Sequence, residues 1–388
     1  MNKMGLLLRW SWRDLRTHWI KVAAIALVIG IGTGGYAGLT STTEWRRISY
    51  EESYNLLAMY DIRIVLPPGA TVDAGELTQV VAASSAAEVI SATTERLVVP
   101  TQVDASTASN TVLTRGEITG VAFAPGPAVG KFHAPAGRLL TSADAGKPVA
   151  MLERSFARFY DLPATGTILV SGDRELEYVG QASTPEYFTV APEGEVSGTE
   201  ATFAAVFTTL ETAQQLAGAE GQVNDVVLSL VPGTDAAAVA AEIEVELERR
   251  GFGAAVTTRD DNLSYTALTK DIDQDQAMFN VLAILLMAGA VTAAFNLIQR
   301  LIEEQRRELG IGMALGERPR VLAVRPLLVS AQVALLGVAC GVVVGVVVGN
   351  AMGAVLRDLI PLPIWDTSFK PGIFSVAAVI GFAVPFTS

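Results

Sequence analysis

Residues 277–298 read AMFNVLAILLMAGAVTAAFNLI, with no charged side chain over 22 positions. An α-helix needs about 20 apolar residues to cross the hydrocarbon core of a bilayer, so this stretch predicts a membrane span. Two other stretches read the same way. One is Ile20 to Leu39, whose single ionisable residue, Lys21, sits at its edge. The other is residues 326–355, PLLVSAQVALLGVACGVVVGVVVGNAMGAV, which is long enough to tilt. A fourth, Gly372 to Phe386, has only 15 residues and no basic flank; truncation, a longer parent protein or a re-entrant segment each accounts for it. The expected fold class is therefore an integral membrane α-helical protein. It has four transmembrane helices, the fourth short or incomplete, and a mixed α+β extracytoplasmic domain between helices 1 and 2.

Composition agrees. Half of the 388 residues are apolar and 18% are charged, against about 25% in soluble domains, and the mean hydropathy is +0.39. A net charge of −12 argues against nucleic acid as a partner. One cysteine, Cys340, excludes a disulfide framework and a cysteine-based zinc site; two histidines, His18 and His133, leave little for metal chemistry.

Charge is unevenly spread. Residues 42–271 hold 15 basic and 31 acidic residues, and the remainder is weakly basic. Lys3, Arg9, Arg13 and Arg16 precede the first span, with Lys21 at its boundary, and Arg300, Arg306, Arg307, Arg318, Arg320 and Arg325 lie between the second and third. The positive-inside rule places both regions in the cytoplasm. The expected layout is a cytoplasmic amphipathic N-terminus (1–19), a first span (20–41), an extracytoplasmic domain (42–271) and a C-terminal membrane domain (272–388). The last comprises a span (277–298), a cytoplasmic loop (299–325), a span (326–355), an outer loop (356–371) and a final span (372–388). The protein is expected in the cell membrane as a multi-pass protein with its N-terminus inside. A cleaved signal peptide is the rival reading of the N-terminus, but Tyr36, Leu39 and Trp45 make a poor cleavage site. Asn2 to His18, in which Trp and Leu interleave with Arg, suits a helix lying on the inner leaflet.

Gly30, Gly34 and Gly38 recur every four residues in the first span, and Gly337, Gly341, Gly345, Gly349 and Gly353 do so in the third. Each run falls near one helix face and predicts a groove where helix backbones pack closely in lipid. The second and third spans lack the ionisable residues that mark ion or proton pathways, which argues against a secondary transporter.

The outer domain reads as strands at 63–66, 97–103, 112–123, 149–152, 167–170, 175–179, 223–230 and 254–257. Helices are expected at 76–90, 155–160 and 235–250, with Thr234 or Asp235 capping the last. Glu242, Glu244, Glu246 and Glu248 read as solvated surface, His133 as an exposed loop residue, and Asp260 and Asp261 as a solvated helix start rather than a cation or acid–base pair. There is no GxSxG, HExxH or GxxxxGK[ST] motif, so neither an enzyme nor an ATPase is expected.

The loop QRLIEEQRRELGIGMALGERPR, residues 299–320, resembles the cytoplasmic coupling segment of FtsX/MacB/LolC-type ABC transporter permeases. The resemblance rests on Glu308, Leu309, Gly310 and Ile311, with Leu309 where Ile is usual, and on Ala314, Leu315 and Gly316. The stretch AGRLLT…VAML…TILV…YVG, within 136–180, is similar to a MacB-like periplasmic core domain, and 272–388 to an FtsX-like permease domain. The resemblance implies a subunit that binds no cofactor itself. A separate ABC-type ATPase would carry the ATP and Mg²⁺, and the chain would pair as a homodimer or with a homologous permease subunit. ATP-driven movement would pass to the outer domain, for export or extraction of a lipophilic, lipoprotein or peptide cargo. The alternative is a membrane-anchored regulator whose outer domain controls a cell-wall hydrolase or senses a peptide. The implied coupling residues are Glu303, Glu304, Arg306, Arg307, Glu308, Leu309, Gly310, Ile311, Ala314, Leu315 and Gly316.

Overall fold

A computed structural model describes residues 11–13, 15–107, 110–171, 173–189, 202–314, 319–360 and 362–383. In chain order the elements are α1 (Trp19–Leu56), β1 (Ile62–Val65), β2 (Val72–Asp73), α2 (Glu76–Ala83), β3 (Ile90–Asp104), β4 (Leu113–Val121), β5 (His133–Gly137), β6 (Val149–Glu153), α3 (Arg154–Phe159), β7 (Gly166–Val170), β8 (Arg174–Ser183), β9 (Phe203–Thr209), α4 (Leu210–Ala217), β10 (Gln222–Val223), β11 (Asp225–Leu230), α5 (Ala236–Arg249), β12 (Ala255–Thr258), α6 (Leu263–Ala314), α7 (Pro319–Leu359) and α8 (Pro371–Ala383). The chain divides into two compact units: residues 1–48, 272–359 and 365–388, and residues 49–271 with 360–364.

The first unit is helical. Among the described residues, three helices are long and apolar enough to cross a membrane, over Trp19–Leu56, Leu263–Arg300 and Pro326–Arg357; Pro371–Ala383 is apolar but shorter. The sequence ends the first span near residue 41, yet α1 continues to Leu56. No Gly or Pro occurs between Leu39 and Leu66 to stop it. It ends where Ala58 takes φ 49° and the Met59 N–H donates back to Tyr54 O at 2.9 Å. Helix α6 likewise starts well before 277, where the Asn262 carboxamide oxygen accepts the Tyr265 N–H at 2.9 Å. The core of this unit gathers Val22, Ile25 and Ile29 of α1, Ala294 and Ile298 of α6, and Val329 and Val333 of α7.

The second unit joins two substructures in one sheet. Strands β12-β1-β11-β3 form an antiparallel sheet, and with α2 and α5 they make a β-α-β-β-α-β arrangement. Ile62, Ile64, Val226 and Leu228 alternate onto the face covered by Leu77, Val80 and Val81 of α2 and by Val239, Ile243 and Leu247 of α5. Helix α5 starts on Asp235, whose carboxylate accepts the Ala237 N–H at 3.0 Å. Helix α2 is shorter than the Ala-rich run predicts. It stops at Ala83, because Ser84 turns extended and its hydroxyl donates to Val81 O at 2.7 Å.

Between the second and third strands of that sheet the chain inserts a closed ring of strands, β3-β4-β9-β6-β8-β7, shut by β7 pairing β3 at Val103↔Val170. Strand β3 serves both halves. Residues 90–96 pair β11 and residues 96–104 pair β4. Val103, Ile118, Leu152, Phe156, Ile168, Leu176 and Val206 fill the ring. Closure leaves few free strand edges. The turn expected at 171–173 joins β7 to β8, although Gly172 lies outside the described residues.

Three sequence expectations are corrected here. His133 is not an exposed loop residue: it lies half-buried in β5 opposite Ser183, and burial, aided by Arg154, pushes its imidazole below the ordinary value. Glu246 is not solvated surface: it is buried beside Arg249 and Arg250. Strand β9 and helix α4 were not expected at all.

Candidate functional site

The glycines of the two spans face each other across α1 and α7. A Cβ on Gly34 would lie 2.5 Å from Gly341 O and 2.7 Å from Val344 Cβ; one on Gly38, 2.9 Å from Gly345 O; one on Gly30, 2.7 Å from Cys340 Sγ. From the other side, a Cβ on Gly337 would meet Ile29 at 2.8 Å, one on Gly341 would strike the Thr33 hydroxyl, and one on Gly353 would meet Trp45 at 2.9 Å. Gly345 is packed against Phe374 of α8 as well as against Gly34. Gly349 has nothing within 4 Å of a built Cβ, so it keeps the spacing without sharing the contact. Gly32, which the spacing rule skips, is pressed against Ala290 of α6.

The stretch after the second span continues as helix to Ala314. Glu303, Gly310, Ile311, Met313 and Ala314 are exposed, Ile311 at 53% and Met313 at 56%. The backbone of Glu304, Arg306, Arg307, Glu308 and Leu309 lies in the same helix, while Leu315 and Gly316 lie outside the described residues. Near the other end of α6, Asp275 pairs with Arg46 of α1, a guanidinium only 1% exposed. Residue spacing gives no sign of this pair, because Arg46 lies beyond the predicted first span.

A buried charge cluster sits where β3 passes from the four-stranded sheet into the ring. Asp225 is fully buried. Its two oxygens accept from Arg63 Nε and Arg96 Nε, each at 2.7 Å, and Arg96 donates also to Glu186. Burial opposes the charge on both arginines, but Asp225 and Glu186 outweigh it and hold both protonated. Burial also pushes Asp225 up, and the two arginines more than reverse that. Beside the cluster, the Asn224 side chain takes the place of a strand neighbour for Val98, accepting its N–H and donating to its carbonyl at 2.8 Å each. A cleft of about 880 Å³ opens here, with Arg63, Glu117, Glu186 and Asn224 among its walls. Burial, opposed by Arg63 and reinforced by Glu186, raises the Glu117 carboxyl to about 7.

Residues 280–388 match the family model described as FtsX-like permease C-terminal. This part of the chain is an FtsX-like permease domain. It takes in most of α6, all of α7 and α8, and the stretch 299–320 that the sequence singles out. With three apolar helices of spanning length among the described residues, the chain is a membrane protein carrying a mixed α/β unit. No curated protein matches it. Among solved structures, it is similar to the extracellular domain of the noncanonic ABC-type transporter YknZ from Gram-positive bacteria, with 12% identity over 51% of this chain and 98% of that one, and a TM-score of 0.34. It is also similar to the periplasmic region of MacB from Actinobacillus actinomycetemcomitans, with 11% identity over 58% and 97%, and a TM-score of 0.35. A domain of a putative permease from Porphyromonas gingivalis covers 52% and 87% at 12% identity and a TM-score of 0.28.

The charge cluster was missed in the sequence because Arg63, Arg96, Glu117, Glu186 and Asp225 are scattered over 163 positions. One signal was present: charged residues inside otherwise β-branched runs, as in DIRIVL and NDVVLSL, are costly to bury singly and so call for partners. Asp260 and Asp261 are both exposed, and Asp261 is occupied in its own turn, accepting the Thr258 N–H at 2.8 Å. Among the described residues, no group of three or more His, Cys, Asp and Glu is placed to hold a metal ion.

Proposed function

We propose that the chain is the membrane subunit of an ABC transporter and passes ATP-driven movement from a separate ATPase to its α/β unit. The observation that carries the reading is the FtsX-like match over 280–388, which includes the coupling-like stretch 299–320. In that stretch, Ile311 and Met313 stand exposed at the end of α6. Exposed apolar side chains next to arginines suit a partner's groove better than water. The arginines of 299–325 and the basic N-terminus support a cytoplasmic position for this surface, beside the ATPase, with the acidic α/β unit outside. Helices α1 and α6 each supply residues to both compact units, so movement has a continuous covalent route. The glycine contacts between α1 and α7 serve as a packing seam that keeps this route stiff. The chain acts as a homodimer or with a homologous permease subunit, and cargo is a lipophilic, lipoprotein or peptide molecule handled on the outer side.

The test is co-purification from mild detergent with the ABC-type ATPases of the native genome. The full chain should retain one of them, and Ile311→Asp or Leu315→Asp should release it while the chain stays folded. Retention in both variants would remove the stretch from the coupling role.

A further inference from the structure

The cleft beside the charge cluster combines apolar and charged lining. Pro67, Pro68, Val98, Pro100, Tyr187 and Phe203 supply apolar lining, and Arg63, Glu117 and Glu186 are among its polar lining. Its volume, about 880 Å³, falls within the range of small-molecule sites, about 300–1,000 Å³. Such sites combine apolar walls with a few convergent polar groups.

Arg63 and Arg96 are both engaged by carboxylates other than Glu117. Asp225 takes both arginines and Glu186 takes Arg96. Glu117 receives no hydrogen bond or ion pair among the described residues, although it lies on β4 inside the cleft wall and within the field of all four groups. The stretch 190–201, VAPEGEVSGTEA, contains no Lys or Arg, so it has no cation to offer. Ionising such a half-buried carboxyl without a partner is costly, and burial accordingly raises it to about 7; a cation brought to it in the cleft would favour its charged form.

We propose that this cleft binds a small organic cation with an apolar body, its ammonium or guanidinium group against Glu117 and its body along the proline and aromatic lining. The site is independent of the coupling stretch, and its failure would leave the permease reading untouched. Binding strengthens as Glu117 ionises. The other groups facing it are Arg63 from β1, Arg96 from β3, Glu186 from the turn at Pro185–Tyr187, Asp225 from β11, and the Tyr60 phenol, which burial, reinforced by Glu186, holds protonated. The arginines and Asp225 keep their charges across the neutral range.

The experiment uses the full chain in phosphatidylcholine nanodiscs and fluorine NMR titration of three probes that share one body: para-trifluoromethyl-benzylammonium, the corresponding neutral alcohol and the corresponding carboxylate. At about pH 8 the ammonium probe should bind saturably and at least tenfold tighter than either analogue. Glu117→Gln should erase that preference, while Glu117→Asp, which keeps the charge, should retain most of it and so separates loss of charge from loss of fold. At about pH 5 the preference should shrink in the wild type and be unchanged in the Gln variant. Equal binding of all three probes, absence of saturable binding, or a preference that survives Glu117→Gln would each overturn the assignment.

Discussion

Replacing Gly34 by alanine adds one methyl group to the α1–α7 contact. That methyl would sit 2.5 Å from Gly341 O and 2.7 Å from Val344 Cβ. Relaxed contacts between such atoms lie at about 3.5–4.0 Å, so the overlap is about 1 Å. Neither obstacle can rotate away, because one is a backbone carbonyl and the other is fixed to the backbone through its Cα. The helices must part locally by about 1 Å, and a gap of that size forfeits about a quarter to a half of each neighbouring dispersion contact. Overpacking of this kind costs about 1–3 kcal/mol, and the rigid neighbours put Gly34→Ala at the upper end. Gly349→Ala is the internal control. It keeps the same four-residue spacing but has nothing within 4 Å, and should change stability by less than about 0.5 kcal/mol. The assay is denaturant unfolding of the purified full chain in mild detergent, followed by circular dichroism. Equal losses in the two variants, or no loss in Gly34→Ala, would refute the reasoning that the seam depends on backbone approach rather than on glycine content.

Two further outcomes follow from the α/β unit. Asp225→Ala leaves Arg63 and Arg96 buried without their shared carboxylate; breaking a buried pair costs about 3–5 kcal/mol, and thermal unfolding should register it as a large fall. Glu117 acts in the opposite sense. Its folded carboxyl, near 7 against an ordinary 4.5, binds more protons than the unfolded chain between those values, so stability falls as pH rises through that window. The loss is about 1–3 kcal/mol after allowance for water in the cleft. Glu117→Gln should flatten this fall and be the more stable form at about pH 8; a variant that tracks the wild type at every pH would contradict the raised value.

The membrane helices were legible because a bilayer imposes length and apolarity on any crossing helix. The FtsX-like resemblance was legible because the Gly, Leu and Arg residues that carry it are contiguous. Helix ends were less so. α1 passes residue 41 because Ser49 and Ser53 are buried rather than solvated, and burial of small polar residues leaves no local trace. Helix α5 and its Asp235 cap were readable, since capping is a local interaction. Helix α2 was overextended because alanine content favours helix while the Ser84 turn that stops it depends on a single side-chain bond. Strand β9, FAAVFTT, is buried along its whole length; it lacks the alternation that marks half-exposed strands. The charge cluster depends on β1, β3, β4 and β11 coming together, which is a consequence of topology. Gly349 shows the same limit in the membrane: spacing places a residue on a helix face, but the neighbour's path decides whether that face is covered.

The most direct test of the central claim is ATP turnover by the partner ATPase, measured with and without the full chain in nanodiscs, for wild type and Ile311→Asp. The account predicts that the wild-type chain changes turnover and that Ile311→Asp returns it to the rate of the ATPase alone, with the α/β unit still folded. Turnover that is indifferent to the chain, or changed equally by the variant, would contradict it.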